Sequence, residues 1–192
     1  MVMHRRVNSP GFLLVFVALS FVEGIFAQSA EPDTKPAAVL ELGGAGSWNV
    51  KDGRSSFGPD VAVEVTPIEK SLEIEIGVTP FYSRHSTEWD TDVLFKKPWD
   101  LTRKLELMVG VGPAWVRSKE NGAVANSVAI DAAVDLMFWP SERRRFGWFV
   151  EPVYEYNLAR GHERSVGISA GLLIAIPRVH GVRSTGQSGL RK

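Results

Sequence analysis

The chain has 192 residues, 22 Lys+Arg against 22 Asp+Glu, and no cysteine. That length allows one domain or two small ones, and the charge balance argues against a nucleic-acid binder held by a basic surface. The lack of cysteine excludes disulfide scaffolds, thiol catalysis, Cys-ligated zinc and a lipid-modified N-terminal Cys.

Residues 1–27 read as a secretory signal peptide. His4, Arg5 and Arg6 give a positive start, 11–22 is an apolar run broken only by Ser20, and small residues follow at Gly24, Ala27, Ser29 and Ala30. Such a run falls short of the roughly 20 residues that a spanning helix needs. Cleavage is expected after Ala27, with 28–37 a short linker.

From residue 38 onward the pattern alternates with period two, and no sustained helical period occurs. Eight strands are expected. The first (39–50) sets Leu40, Leu42, Trp48 and Val50 against Glu41, Ser47 and Asn49. The second (57–66) sets Phe57, Val61, Val63 and Val65 against Asp60, Ala62 and Glu64. In the third (72–84) Leu72, Ile74, Ile76, Val78 and Tyr82 oppose Glu73, Glu75 and Gly77. The fourth (88–96) is the weakest, with Trp89, Val93 and Phe95 opposite Asp90, Asp92 and Lys96. The fifth (104–117) sets Leu105, Leu107, Val109, Val111 and Trp115 against Lys104, Glu106, Gly110, Gly112 and Ala114. The sixth (127–139) sets Val128, Ile130, Val134, Leu136 and Phe138 against Asp131, Ala133 and Asp135. In the seventh (145–157) Phe146, Trp148, Val150, Tyr154 and Tyr156 oppose Gly147, Glu151 and Glu155. In the eighth (165–176) Val166, Ile168, Leu172, Ile174 and Ile176 oppose Gly167, Ser169 and Gly171. Strands of this length and an even count suit a closed antiparallel meander: an all-β, eight-stranded up-and-down transmembrane barrel over 38–176.

A repeat of the form G-V-x-P-x-aromatic-x-R links 77–84 to 110–117, and Glu151-Pro152-Val153-Tyr154 echoes it. A proline removes a ladder hydrogen bond, so these prolines are expected at one rim. Tyr82, Trp115 and Tyr154 then form an aromatic band at that rim, Phe95, Phe138, Phe146 and Trp148 form one opposite, and Trp48 is a further girdle residue. Joining segments 67–70, 97–102 and 140–144 share a side with the termini. Segments 51–56, 85–87, 118–126 and 158–164 lie on the other side.

Alternation alone does not say which face points inward. A soluble barrel would turn its Leu, Ile and Val face into a cavity for an apolar ligand; a membrane barrel would turn it to lipid. The polar face gathers Glu41, Glu64, Glu73, Glu75, Asp92, Glu106, Asp131, Asp135, Glu151 and Glu155 against only Lys96 and Lys104. Such a lumen is costly unless some groups are protonated, hydrated or cation-bound, which favours the soluble reading. Three features favour the membrane: abundant Gly and Ala on the polar face, an apolar face nearly free of charge, and aromatics near the rims.

With its signal segment and eight amphipathic strands, the chain resembles the small outer-membrane β-barrel proteins of Gram-negative bacteria across 38–176. The resemblance extends to the C-terminal assembly signal of those proteins, here Ser169-Ala170-Gly171-Leu172-Leu173-Ile174-Ala175-Ile176. The signal departs from their pattern in carrying Ile where an aromatic is usual and in being followed by a basic tail, 177–192. The resemblance implies outer-membrane lipid and the barrel-assembly machinery as partners, with no nucleic acid and no cofactor; ligand, partner protein and oligomeric state stay open.

No P-loop, dinucleotide fingerprint, HExxH or nucleophile elbow occurs. His85 with Glu88, Asp90 and Asp92 offers at most a weak cation site. His162, Glu163 and Ser165 resemble the catalytic groups of lipid A deacylase barrels. That family needs His-x-Ser on one strand face, whereas this chain has His162-Glu163-Arg164-Ser165. The expected role is therefore structural or interactive and non-catalytic. A soluble barrel for an apolar ligand is the main alternative, and a narrow cation-preferring conduit or a lipid A-modifying enzyme are lesser ones. Arg143 to Arg145 and the tail residues Arg178, Arg183, Arg191 and Lys192 are candidate contacts for anionic headgroups.

Overall fold

The structure, a computed structural model, describes residues 36–84, 86–141, 143–159 and 162–177. The expected signal peptide, residues 28–35 of the linker, His85 and residues 178–192 of the tail lie outside these residues.

Eight strands follow in order: β1 (Ala38–Asn49), β2 (Ser55–Ile68), β3 (Leu72–Tyr82), β4 (Ser86–Asp100), β5 (Leu105–Glu120), β6 (Ala123–Phe138), β7 (Phe146–Asn157) and β8 (Arg164–Ile176). Each pairs antiparallel with the next, and β1 pairs with β8 from Ala38↔Ile176 to Asn49↔Ser165, closing the barrel. Closure leaves no free edge, so backbone polar groups find partners within the sheet.

Strands β4, β5 and β6 outrun expectation. β4 continues to Asp100, because Pro98 and Trp99 carry on the alternation and pair with Met108 and Leu107 of β5. β5 and β6 consume the expected 118–126 loop down to Asn121 and Gly122, whose φ values of 48° and 85° form the two-residue turn that an Asn-Gly pair favours.

The prolines also differ from expectation. They sit inside strands rather than at a rim, each at a gap in one ladder. β2–β3 pairing lapses between Phe57↔Tyr82 and Val61↔Val78, around Pro59 and Pro80. β4–β5 pairing lapses between Asp92↔Ala114 and Phe95↔Val111, beside Pro113. β6–β7 pairing lapses between Ala133↔Val153 and Leu136↔Val150, beside Pro152. The missing N–H accounts for each gap.

The apolar face points outward. Val111 is 54% exposed, Trp148 56% and Phe146 65%, and the belt they belong to runs around all eight strands. An apolar surface this continuous exceeds what soluble monomers normally show. At the β1–β8 seam the backbones approach so closely that only glycine fits. A Cβ on Gly171 would meet Leu42 O and stand 2.5 Å from Gly43 Cα, and one on Gly43 would meet the Ala170 carbonyl.

Candidate functional site

Period-two alternation sends Glu41 of β1, Glu64 of β2, Glu75 of β3, Lys96 of β4, Asp135 of β6 and Glu151 of β7 to the barrel interior, all buried. Lys96 Nζ donates to Glu75 Oε2 and Glu151 Oε2 and lies 3.5 Å from Asp135 Oδ2. Glu41, Glu64, Glu75 and Asp135 each turn one oxygen into a common space in which no two of these atoms are more than 4.8 Å apart. Glu41 Oε1, Glu64 Oε2 and Asp135 Oδ1 are buried without a hydrogen-bond partner. One ammonium therefore faces a ring of carboxylates from five strands.

The flanks of this ring differ. Towards the termini, Val39, Met108, Met137, Trp139, Phe149 and Leu173 form a buried apolar cluster. Beyond them, Arg144 Nη1 donates to Glu106 Oε2 at 2.7 Å and Nη2 to Asp100 Oδ1 at 3.1 Å. Arg144 thus turns inward to the barrel mouth, while Arg143 and Arg145 stay exposed. Towards the opposite end, which carries the β1–β2 and β5–β6 hairpins, a cavity of about 70 Å³ is lined by Asp60, Asp90, Asp92, Asp131, Glu151 and Glu155, among others. That space admits a few water molecules.

Of the expected acids, Glu73 is also buried, at a register position opposite Lys96. Asp92, Asp131 and Glu155 line the cavity. Lys104 is a correction: it is exposed in the β4–β5 turn, because Leu101 N and Thr102 N both donate to Leu105 O and end the strand at Leu105. Lys96 is thus the only lysine inside the barrel among the described residues. Two acids escaped the sequence list of lumen groups although their parity was visible. Asp60 accepts a 2.6 Å hydrogen bond from Thr79 Oγ1, and Asp90 keeps a buried Oδ1 without a partner.

The aromatics Trp48, Tyr82, Phe95, Phe138, Phe146, Trp148 and Tyr154 all lie on the outer surface, with Trp115 half-buried beside them. Trp89, Trp99 and Phe57 join them there. In β8, Ser169 and Gly171 have inward parity, while Ile174 and Ile176 pair with Leu40 and Ala38 of β1. His162 Nδ1 lies 2.9 Å from the Tyr156 hydroxyl, with the two rings stacked and Arg164 over the tyrosine.

In comparisons with known proteins, no family model matches the chain and no curated protein does. Solved structures do match. Neisserial surface protein A (NspA) aligns at a TM-score of 0.61 and 12% identity, covering 73% of this chain and 97% of that one. The N-terminal β-barrel domain of Pseudomonas aeruginosa OprF aligns at 0.54 and 12%, covering 73% and 100%. A de novo designed transmembrane β-barrel aligns at 0.51 and 13%, covering 75% and 99%. At such identities the likeness is one of fold, and the fold is the closed eight-stranded antiparallel meander of small outer-membrane barrels.

Proposed function

We propose that this chain is an outer-membrane β-barrel with a structural or interaction role and no catalysis, whose lumen is a sealed acidic chamber rather than a conduit. One observation carries the reading: an apolar belt faces out around all eight strands while the lumen gathers the carboxylates. A hydrocarbon surround makes that inversion favourable, since each apolar group on the belt gains from leaving water and the charged groups are kept out of the hydrocarbon. The fold likeness to a Neisserial surface protein and to designed transmembrane barrels supports it.

Sealing rests on the terminal end, where the cluster around Trp139 and Phe149 and the Arg144 contacts stand across the passage. Eight strands leave little room beyond side chains. A soluble carrier of apolar ligands would need an interior free of crowded charge, whereas Asp60, Asp90, Asp92, Asp131, Glu151 and Glu155 are among the residues lining this cavity.

Fractionation tests the location: recovery with outer membranes and heat-modifiable gel migration are expected, and a freely soluble periplasmic protein would overturn it. Planar-bilayer recording tests the seal. No unitary conductance is expected at any salt concentration, and stable cation-selective steps would overturn the sealed chamber.

A further inference from the structure

We propose that the lumen binds one divalent cation of calcium's size between Glu41, Glu64, Glu75 and Asp135. The proposal rests on lumen geometry and does not require the membrane location. Four carboxylate oxygens from four strands converge with no separation above 4.8 Å. Opposed oxygens on a calcium ion stand about 4.6–5.2 Å apart, given bonds of roughly 2.3–2.6 Å. Magnesium, with bonds near 2.1 Å, would require the ring to contract to about 4.2 Å, and it sheds water reluctantly. Zinc favours nitrogen and sulfur donors, and none of the four is His or Cys.

A second observation points to a ligand rather than to a chance gathering of acids. Glu41 Oε1, Glu64 Oε2 and Asp135 Oδ1 are buried and accept no hydrogen bond, although these residues are 1%, 3% and 0% exposed. Buried acceptors normally find a partner, and one left orphaned costs about 1–3 kcal/mol, more when charged. Lys96 does not meet the need, because its ion pairs are with Glu75, Glu151 and Asp135. Neither Glu41 nor Glu64 has a basic partner within ion-pair distance among the described residues. A cation seated among the four carboxylates would compensate Glu41 and Glu64, which no ion pair does among the described residues.

Access comes from one side. The apolar cluster and Arg144 stand at the terminal end, while Glu75 also borders the hairpin-side cavity with Asp60, Asp92 and Asp131. Those acids would draw a cation inward by raising its local concentration. The site is then a dead-end pouch: an ion enters and leaves by the same route, consistent with a barrel that does not conduct.

The test uses the full chain folded in detergent micelles, stripped with a chelator and titrated with CaCl2 alone, with bound 45Ca counted after equilibrium dialysis. One calcium per chain is expected. Glu41→Gln and Glu64→Gln should each weaken binding by about tenfold or more, whereas Glu120→Gln and Asp52→Asn at the hairpin tips should leave it unchanged. Magnesium should compete poorly. Absence of saturable calcium binding by the folded wild type would overturn the proposal, and so would one-to-one binding that both lumen variants leave intact. Should neither lumen variant fold, the wild type and the two tip variants decide. One calcium in each, with a higher unfolding temperature in its presence, supports the site; none in the wild type, or a calcium lost in a tip variant, overturns it. A folded barrel that inserts into membranes but binds no calcium loses only the cation site, and the membrane reading stands or falls by fractionation.

Discussion

At the terminal end of the lumen, Val39, Met108, Met137, Trp139, Phe149 and Leu173 pack against one another. At the hairpin end, Asp60, Asp90, Asp92, Asp131 and Glu155 surround a cavity. Both ends are built from inward-facing positions of one barrel, and β6 and β7 contribute to each, so strand geometry does not separate them; side-chain chemistry does. The terminal end fills its space with apolar volume and tolerates little change, as close-packed interiors do. The hairpin end leaves room for water, which would hydrate its carboxylates and let like charges share a confined space. Lys96 stands at the boundary, and the largest expected effect belongs there.

Lys96→Met keeps most of the side-chain volume but leaves Glu75, Glu151 and Asp135 without their shared cation. Removing one partner of a buried ion cluster typically costs about 3–5 kcal/mol, because the remaining charge is buried uncompensated. Urea unfolding of the barrel in lipid vesicles, followed by tryptophan fluorescence, should show a loss of that order. Adding Glu75→Gln should recover part of it. Wild-type stability in Lys96→Met would mean that the lumen is wet throughout and that its two ends do not differ.

Trp139→Ala attacks the apolar end. Trp139 is 1% exposed, and its truncation should cost about 3 kcal/mol through lost burial and the cavity left behind. Part of the loss is offset because the indole Nε1 is buried without an acceptor. The same variant sharpens the contrast in a second readout. With the largest plug side chain gone, brief cation leaks are expected in planar bilayers where the wild type is silent, and a silent Trp139→Ala barrel would assign the seal to Arg144 and Glu106 instead.

The hairpin end should respond in the opposite direction. Asp131 is buried with an unpartnered Oδ1 among cavity-lining acids. Asp131→Asn removes one like charge while keeping the shape, so stability should hold or rise by up to ~1 kcal/mol. A loss as large as that of Lys96→Met would show that this carboxylate has a cationic partner and that the two ends are alike.

The strand count, the division of each strand into two faces and the closed meander were legible in the sequence, because residues such as Leu105 to Val111 alternate cleanly. The apolar plug was not, although its signal was present. Leu107-Met108-Val109, Met137-Phe138-Trp139, Trp148-Phe149-Val150 and Leu172-Leu173-Ile174 are unbroken apolar runs within alternating strands. Such a run means that both faces are apolar at that level, and those levels are where the plug sits. Lys104 misled because parity was carried past the point where the strand starts. The convergence of Glu41, Glu64, Glu75 and Asp135 was beyond sequence, since it depends on register summed from β6 through β7, β8 and β1 to β3.

The smallest expected effect lies outside the lumen, in the β1–β2 turn, where charge is fully solvated and contrasts with charge sealed inside. Asn49 Oδ1 accepts from Lys51 N at 2.9 Å and Asp52 N at 3.3 Å, and Gly53 adopts a φ of 69°. Asp52 Oδ1 accepts from the Arg54 backbone N–H at 3.0 Å, and its Oδ2 from Arg54 Nε at 2.5 Å. That amide, followed by the guanidinium, holds the Asp52 carboxyl below the usual range. A depressed folded value means that the turn gains from ionised Asp52 above the carboxyl's unfolded value and loses that gain as pH falls through the folded one. The Arg54 amide resonance of the folded barrel should therefore move on acid titration with a midpoint below that of an ordinary aspartate, and Asp52→Asn should abolish the transition while barely altering global unfolding. A midpoint at or above the ordinary value would mean that the turn contacts are lost in solution, whereas the lumen ion pairs, shielded from water, would keep theirs.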